Sequence, residues 1–291
     1  MILKYFITAI FVFGFGGKIS FAQTGWVLDK HELYANISTQ YFASDNFYNA
    51  LGVSIQTTPF KQIGTYFYGE FGISEVFTVI ADFPFLKIQG FETTNFVGGI
   101  GDLTIGLKYG ITKGKTPVAI TLAPEIPIGN SNLYAINKLN SFESINLPTG
   151  DGEFNLHNKL AVSHSFYPKQ FYISAFGDYN LRTNYGDLQF RDQIITGIEA
   201  GYSYKGAWLI YKAGAQITIG AQKGITEFAR GEGTDYSYHQ IEISFPLSKT
   251  LFIGARATFQ ADFPVELSNI YVAPAFGLSF SYKGLLKKRV D

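Results

Sequence analysis

Residues 101–129 read GDLTIGLKYGITKGKTPVAITLAPEIPIG. In the first half Leu103, Ile105, Leu107, Tyr109 and Ile111 alternate with Asp102, Thr104, Gly106, Lys108 and Gly110. After a tight turn, Val118, Ile120, Leu122, Pro124, Ile126 and Ile128 alternate with Ala119, Thr121, Ala123 and Glu125. Successive side chains of a strand point to opposite faces, so the period of two predicts a hairpin that is apolar on one face and polar or small on the other.

The pattern recurs along the chain. It predicts about twelve strands, at residues 32–42, 61–73, 76–87, 103–111, 118–128, 155–166, 170–182, 191–204, 207–220, 236–247, 250–261 and 269–282. Short connections (74–75, 112–116, 167–169, 205–206, 248–249) alternate with long ones (43–60, 88–100, 130–154, 183–190, 221–235, 262–268). Tight turns at one end and longer loops at the other are the signature of an outer-membrane barrel. Most of the segments are about 11 to 14 residues long, enough for a tilted membrane crossing and longer than ordinary soluble strands. The expected fold is all-β: a transmembrane antiparallel up-and-down β-barrel of about twelve strands.

Cost decides which face meets lipid. An arginine at the midplane of a lipid-facing strand costs about 2–4 kcal/mol. In residues 251–260 this rule sends Arg256 into the lumen and leaves Leu251, Ile253, Ala255, Ala257 and Phe259 outside. It likewise sends inward Asp82, Asp102, Lys108, Glu125, Lys159, Asp178, Glu199, Lys212 and Glu242. Aromatics near strand ends (Tyr41, Phe42, Phe166, Tyr204, Trp208 and Tyr282) are expected to form interfacial girdles.

Composition sharpens this picture. The chain of 291 residues has 28 Phe and 19 Tyr, which favours strands, and no cysteine, which excludes disulfides, thiolate metal sites and catalytic thiols. Equal numbers of basic and acidic residues, 23 each, with no basic block argue against a nucleic-acid partner. At the N-terminus Lys4 precedes an apolar run that ends in Ser20-Phe21-Ala22. This reads as a secretory signal peptide cleaved near Ala22; the run is too short to span a bilayer. The expected organisation is residues 1–22 as signal peptide, 23–282 as barrel and 283–291 as a short periplasmic tail. The expected partners are outer-membrane lipid, the barrel-assembly machinery and an unknown small solute.

No enzyme is expected. Ser163 and His164 are adjacent on one strand, so their side chains diverge, and His157 lies on the face opposite His164. His31 and His239 have no visible catalytic partners, and the sequence has no GxSxG or HExxH. Asp151 and Glu153 form too short a cluster for a calcium loop. No cofactor or metal is expected. The inward charges either line a passage for solute or brace the interior by pairing.

GGIGDLTIGLKYGI at 98–111, followed by a turn, an apolar strand and a Pro-x-Gly element, resembles the outer-membrane family described as the MetA-pathway of phenol degradation transporters. The matching residues are Gly99, Gly101, Asp102, Lys108 and Tyr109, and then Pro148-Thr149-Gly150-Asp151, which here comes only after an intervening segment. The resemblance implies an outer-membrane location and transport of a small hydrophobic or aromatic solute.

Overall fold

The computed structural model describes residues 24–220 and 233–286. The expected signal peptide and residues 287–291 of the expected tail lie outside them. The described residues form a sheet of twelve long strands with two short additions, Val97–Gly99 and Ile270–Tyr271. The long strands are β1 (Glu32–Tyr48), β2 (Ser54–Gly72), β3 (Phe77–Phe91), β4 (Leu103–Thr112), β5 (Val118–Ile126) and β6 (Asn155–Ser165), then β7 (Phe171–Arg182), β8 (Gln193–Tyr204), β9 (Ala207–Thr218), β10 (Tyr236–Pro246), β11 (Leu251–Ala261) and β12 (Ala275–Leu285). Each pairs antiparallel with its neighbour in sequence, and β12 pairs back onto β1 from Glu32↔Leu285 to Tyr41↔Phe276. Closure leaves no long edge strand, which is the condition for crossing a membrane with strands.

Burial follows the two-residue period. On β8, Ile194, Thr196, Ile198, Tyr202 and Tyr204 are exposed, whereas Gln193, Glu199, Gly201 and Ser203 are buried. On β5, Ile120 and Leu122 are exposed and Ala119, Thr121, Ala123 and Glu125 buried. The molecule is therefore apolar outside and polar inside, the reverse of a soluble domain. The small inner apolar clusters are Tyr68 with Ile80 and Ala123, and Phe42 with Ala275.

Several boundaries differ from the sequence reading. The expected loop at 43–60 is mostly strand: β1 and β2 continue as a ladder to Tyr48↔Ser54. The Phe47 and Tyr271 rings pack tilted with centroids 5.0 Å apart and Ile270–Tyr271 pairs with the edge of β1, which supports a hairpin standing beyond the rest of the barrel. The expected loop at 130–154 contains a hairpin of Tyr134–Ile136 and Ser144–Asn146. Residues 283–285, expected in the tail, pair with β1. Phe42 and Trp208, expected in the girdles, face inward: Phe42 is 1% exposed, and the Trp208 ring lies 5.7 Å from that of inward-facing Tyr172. At the end of a strand, hydrophobicity alone does not choose the face.

Proline explains two irregularities. The β2–β3 ladder passes from Thr65↔Leu86 to Phe67↔Phe83, so Pro84 and Phe85 oppose a single residue. Proline lacks the N–H that a ladder needs and is tolerated at such a bulge. The extra residue exchanges the two faces over the remainder of β3, so Lys87 and Gln89 point inward. Pro124 likewise falls in the gap of the β4–β5 ladder between Thr104↔Glu125 and Leu107↔Leu122.

Candidate functional site

Closure of the strands encloses a polar lumen, and its wall is charged. Lys108, Thr121, Lys159 and Asp178 are neighbours across β4, β5, β6 and β7, and Glu199, Lys212, Gln240 and Thr258 across β8 to β11. Glu242 and Arg256 face each other on β10 and β11. Lys108, Lys159, Asp178, Glu199, Lys212, Glu242 and Arg256 are all buried, and Asp82 is half-buried.

The charges pair across the wall. Lys212 Nζ lies 2.9 Å from Glu199 Oε2, and the Tyr172 hydroxyl donates to Glu199 Oε1 at 2.6 Å. Lys108 Nζ lies 3.6 Å from Glu70 Oε2, while Tyr68 donates to Glu70 Oε1 at 2.6 Å. Asp178 Oδ2 is met by His157 Nδ1 at 2.9 Å and Lys159 Nζ at 3.8 Å. Arg256 donates to Ser38 Oγ at 2.9 Å, and Gln240 links Glu242 and Thr258. A buried charge is tolerated when it is paired and hydrogen-bonded, as Glu199 is by Lys212 and Tyr172; Lys108 meets Glu70 as an ion pair alone.

Asp102 and Glu125 belong to a second cluster nearer the long-loop end. Glu125 accepts from Thr104 Oγ1 at 3.2 Å and Asn155 Nδ2 at 2.8 Å. Asn155 also reaches Glu153, and Arg182 bridges Glu153 and Asp151. The Arg182 guanidinium lies 4.7 Å over the Phe190 ring. Asp102 holds backbone: it accepts from Gly129 N at 2.9 Å and Asp151 N at 3.3 Å. A Cβ on Gly150 would come within 2.2 Å of Asp102 Oδ1, so glycine permits this approach. Lys87 donates to Thr149 O, and Gln89 to Leu147 O and Pro148 O, so residues 147–151 are tied to the inner wall and narrow the mouth. Burial, followed by the neighbouring Asp151 carboxylate, pushes the Glu153 carboxyl above its ordinary value of 4.5.

At the short-turn end the segment before β1 enters the lumen. Gly25 N donates to Ser163 Oγ at 2.8 Å and Leu28 N to Thr78 Oγ1 at 3.0 Å. The Trp26 ring meets Tyr172 edge-on at 5.3 Å. A Cβ on Gly25 would lie 2.3 Å from Pro117 O, so only glycine fits against the wall there. This strap was not anticipated: residues 24–31 carry no period, and their partners are far away in sequence.

The sequence reading also omitted Glu70, Tyr68, Arg182 and Tyr172. Glu70 was accessible to the same cost rule, as a single carboxylate among the aromatics of YFYGEFG. The histidines assemble no catalytic group among the described residues. Ser163 faces inward to Gly25 and to Ser174 Oγ at 2.7 Å, while His164 turns outward to Thr116 Oγ1 at 2.6 Å. His239 pairs with Tyr211 at 2.6 Å on the outer face. Among the described residues, no group of three or more His, Cys, Asp and Glu could hold a metal ion.

No protein-family model and no curated protein matches the chain. Solved structures do. The crystal structure of an outer-membrane channel from Pseudomonas putida F1 superposes with a TM-score of 0.65 at 14% identity, covering 89% of this chain and 97% of that one. The translocator domain of the autotransporter NalP from Neisseria meningitidis gives 0.50 at 9% identity, covering 88% and 89%. The NanC porin gives 0.50 at 6% identity, covering 86% and 100%. At these identities the likeness is one of fold: this chain is similar in architecture to outer-membrane barrels along nearly its whole described length.

Proposed function

We propose that this protein is an outer-membrane channel through which a small solute passes passively. The observation that carries the reading is the closed twelve-strand wall, apolar outside and lined inside by paired charges and hydrogen-bonding side chains. Such a wall is stable only with lipid around it, and a polar lumen offers a hydrated route across. The fold of the Pseudomonas putida channel supports the reading. In this reading Asp82, Lys108, Lys159, Asp178, Glu199, Lys212, Glu242 and Arg256 line the route, Asp102 and Glu125 anchor the loop at its mouth, and the protein has no chemistry of its own. Export by the N-terminal signal and insertion by the barrel-assembly machinery belong to the same proposal. The hydrophobic or aromatic class of solute rests on the resemblance of residues 98–111 to the phenol-degradation transporters.

One observation favours a second reading, a non-conducting barrel acting through its loops. The strap at residues 24–31 and the loop at 147–151 both occupy the lumen, and Lys108 and Gln240 are 0% exposed. Liposome swelling separates the two. Vesicles carrying the purified mature protein should swell in small phenolic or aliphatic solutes faster than empty vesicles. Equal rates across all solutes would sink the channel reading in favour of the second.

A further inference from the structure

The exposed charges of this chain are segregated by end. Four of the turns at the short-turn end carry lysine: Lys113 and Lys115 between β4 and β5, Lys169 between β6 and β7, Lys205 between β8 and β9, and Lys249 between β10 and β11. Lys30, just before β1, and Lys283, on β12, complete a collar in which every lysine is exposed. Two of these are answered by carboxylates, Lys113 by Glu75 at 3.3 Å and Lys283 by Glu32 at 3.6 Å. Lys30, Lys115, Lys169, Lys205 and Lys249 make no ion pair among the described residues. The long-loop end is the opposite. Its exposed carboxylates are Asp45, Glu92, Glu143, Asp187, Asp262 and Glu266, against one exposed base, Lys138, among the described residues. The whole chain has 23 basic and 23 acidic residues, so the asymmetry lies in their placement and not in composition.

Rings mark the level of the collar. Tyr204 points outward, 61% exposed, with Lys205 Nζ 5.3 Å from its centroid. The Phe166 and Phe171 rings, 5.2 Å apart, flank the turn that carries Lys169, and those of Phe77 and Tyr109, 5.1 Å apart, lie at the same end of β3 and β4. Outward aromatic rings sit where hydrocarbon gives way to headgroups, and a lysine stem reaches from there to the phosphates. The lysines are spread round the whole perimeter, so no compact ligand reaches them all. A lipid leaflet encircles the barrel and does. Lysine near a leaflet is drawn to the anionic headgroups in it. With short turns in the periplasm, the leaflet concerned is the periplasmic one.

We propose that this lysine collar binds anionic phospholipid headgroups, so that the barrel gathers an annulus of anionic lipid at its short-turn end. Electron paramagnetic resonance of spin-labelled lipids in phosphatidylcholine vesicles carrying the protein tests it, because lipid held at the wall gives a motionally restricted signal. At about 0.01 M salt, labelled phosphatidylglycerol should associate about threefold more strongly than labelled phosphatidylcholine. Raising salt to about 1 M, which shortens the Debye length from about 30 to about 3 Å, should remove the preference. Replacing the five lysines together (Lys30→Gln, Lys115→Gln, Lys169→Gln, Lys205→Gln and Lys249→Gln) should remove it too, whereas Lys138→Gln at the other end should leave it intact. A wild type with no preference, or a preference that survives either the salt or the five substitutions, would overturn the collar. If the fivefold variant lacks the heat-dependent gel mobility of a folded barrel, the salt series on wild type decides alone. Wild type that shows no lipid preference but sediments with cell-wall sacculi would overturn the lipid assignment in favour of a wall polymer.

Discussion

Lys212 and Glu199 face each other across β8 and β9 with Nζ and Oε2 2.9 Å apart and side chains 5% and 6% exposed, so each neutralises the other inside the barrel. Removing one partner leaves a buried charge whose desolvation is uncompensated. Lys212→Met should therefore cost about 3 kcal/mol. Lys212→Met combined with Glu199→Leu should cost much less than the two single changes together, because neither charge is then stranded. Guanidinium unfolding in lipid vesicles measures this. Additive losses would mean that the lumen is wet enough to solvate each charge separately.

The outer face gives a second test. Ile198 is 57% exposed and points away from the lumen, whereas Ile195 on the same strand faces inward beside Asp178. Ile198→Arg should destabilise the barrel in lipid by about 2–4 kcal/mol. Ile195→Arg should cost less, since its charge meets water and a carboxylate. Equal losses in vesicle refolding titrations would contradict the assigned faces.

The strap can be displaced without touching the wall. In Gly25→Val the new side chain collides with Pro117 O, and the bond from Gly25 N to Ser163 Oγ is lost. The expected outcome is a larger single-channel conductance, with about 1 kcal/mol of stability lost. Unchanged conductance would show that the strap does not limit the opening.

Glu153 yields a pH dependence. Its folded-state value is raised above 4.5, so between the unfolded and folded values the native protein binds more protons than the unfolded chain. Stability contributed by this group falls as pH rises above about 4.5 and is fully lost above the folded value. Glu153→Gln should flatten that part of the stability profile. A profile of unchanged slope would place the titration elsewhere.

How much of the molecule was legible in the sequence depends on the physics of each position. Lys108 and Arg256 were placed because a charge in a regular alternating strand has one tolerable side. Lys87 escaped that rule because the bulge at Pro84 and Phe85 reverses the faces after it, and a proline in a strand does not announce which way the ladder resumes. The hairpin through residues 43–60 escaped because its support, Tyr271, comes from the far end of the chain. Asp102 was placed on the inner side, but its bonds to Gly129 and Asp151 depend on how a long loop folds back, which no local period encodes.

The claim on which the account depends most is that the polar face surrounds water and the apolar face meets lipid. The chain has no cysteine, so single cysteines can be placed one at a time through β8 from residue 194 to 200 and spin-labelled in lipid vesicles. The account predicts that collision with oxygen is highest at 194, 196 and 198, and that collision with a water-soluble nickel complex is higher at 195, 197 and 199. Accessibility without a two-residue period, or with the two sets exchanged, would contradict it.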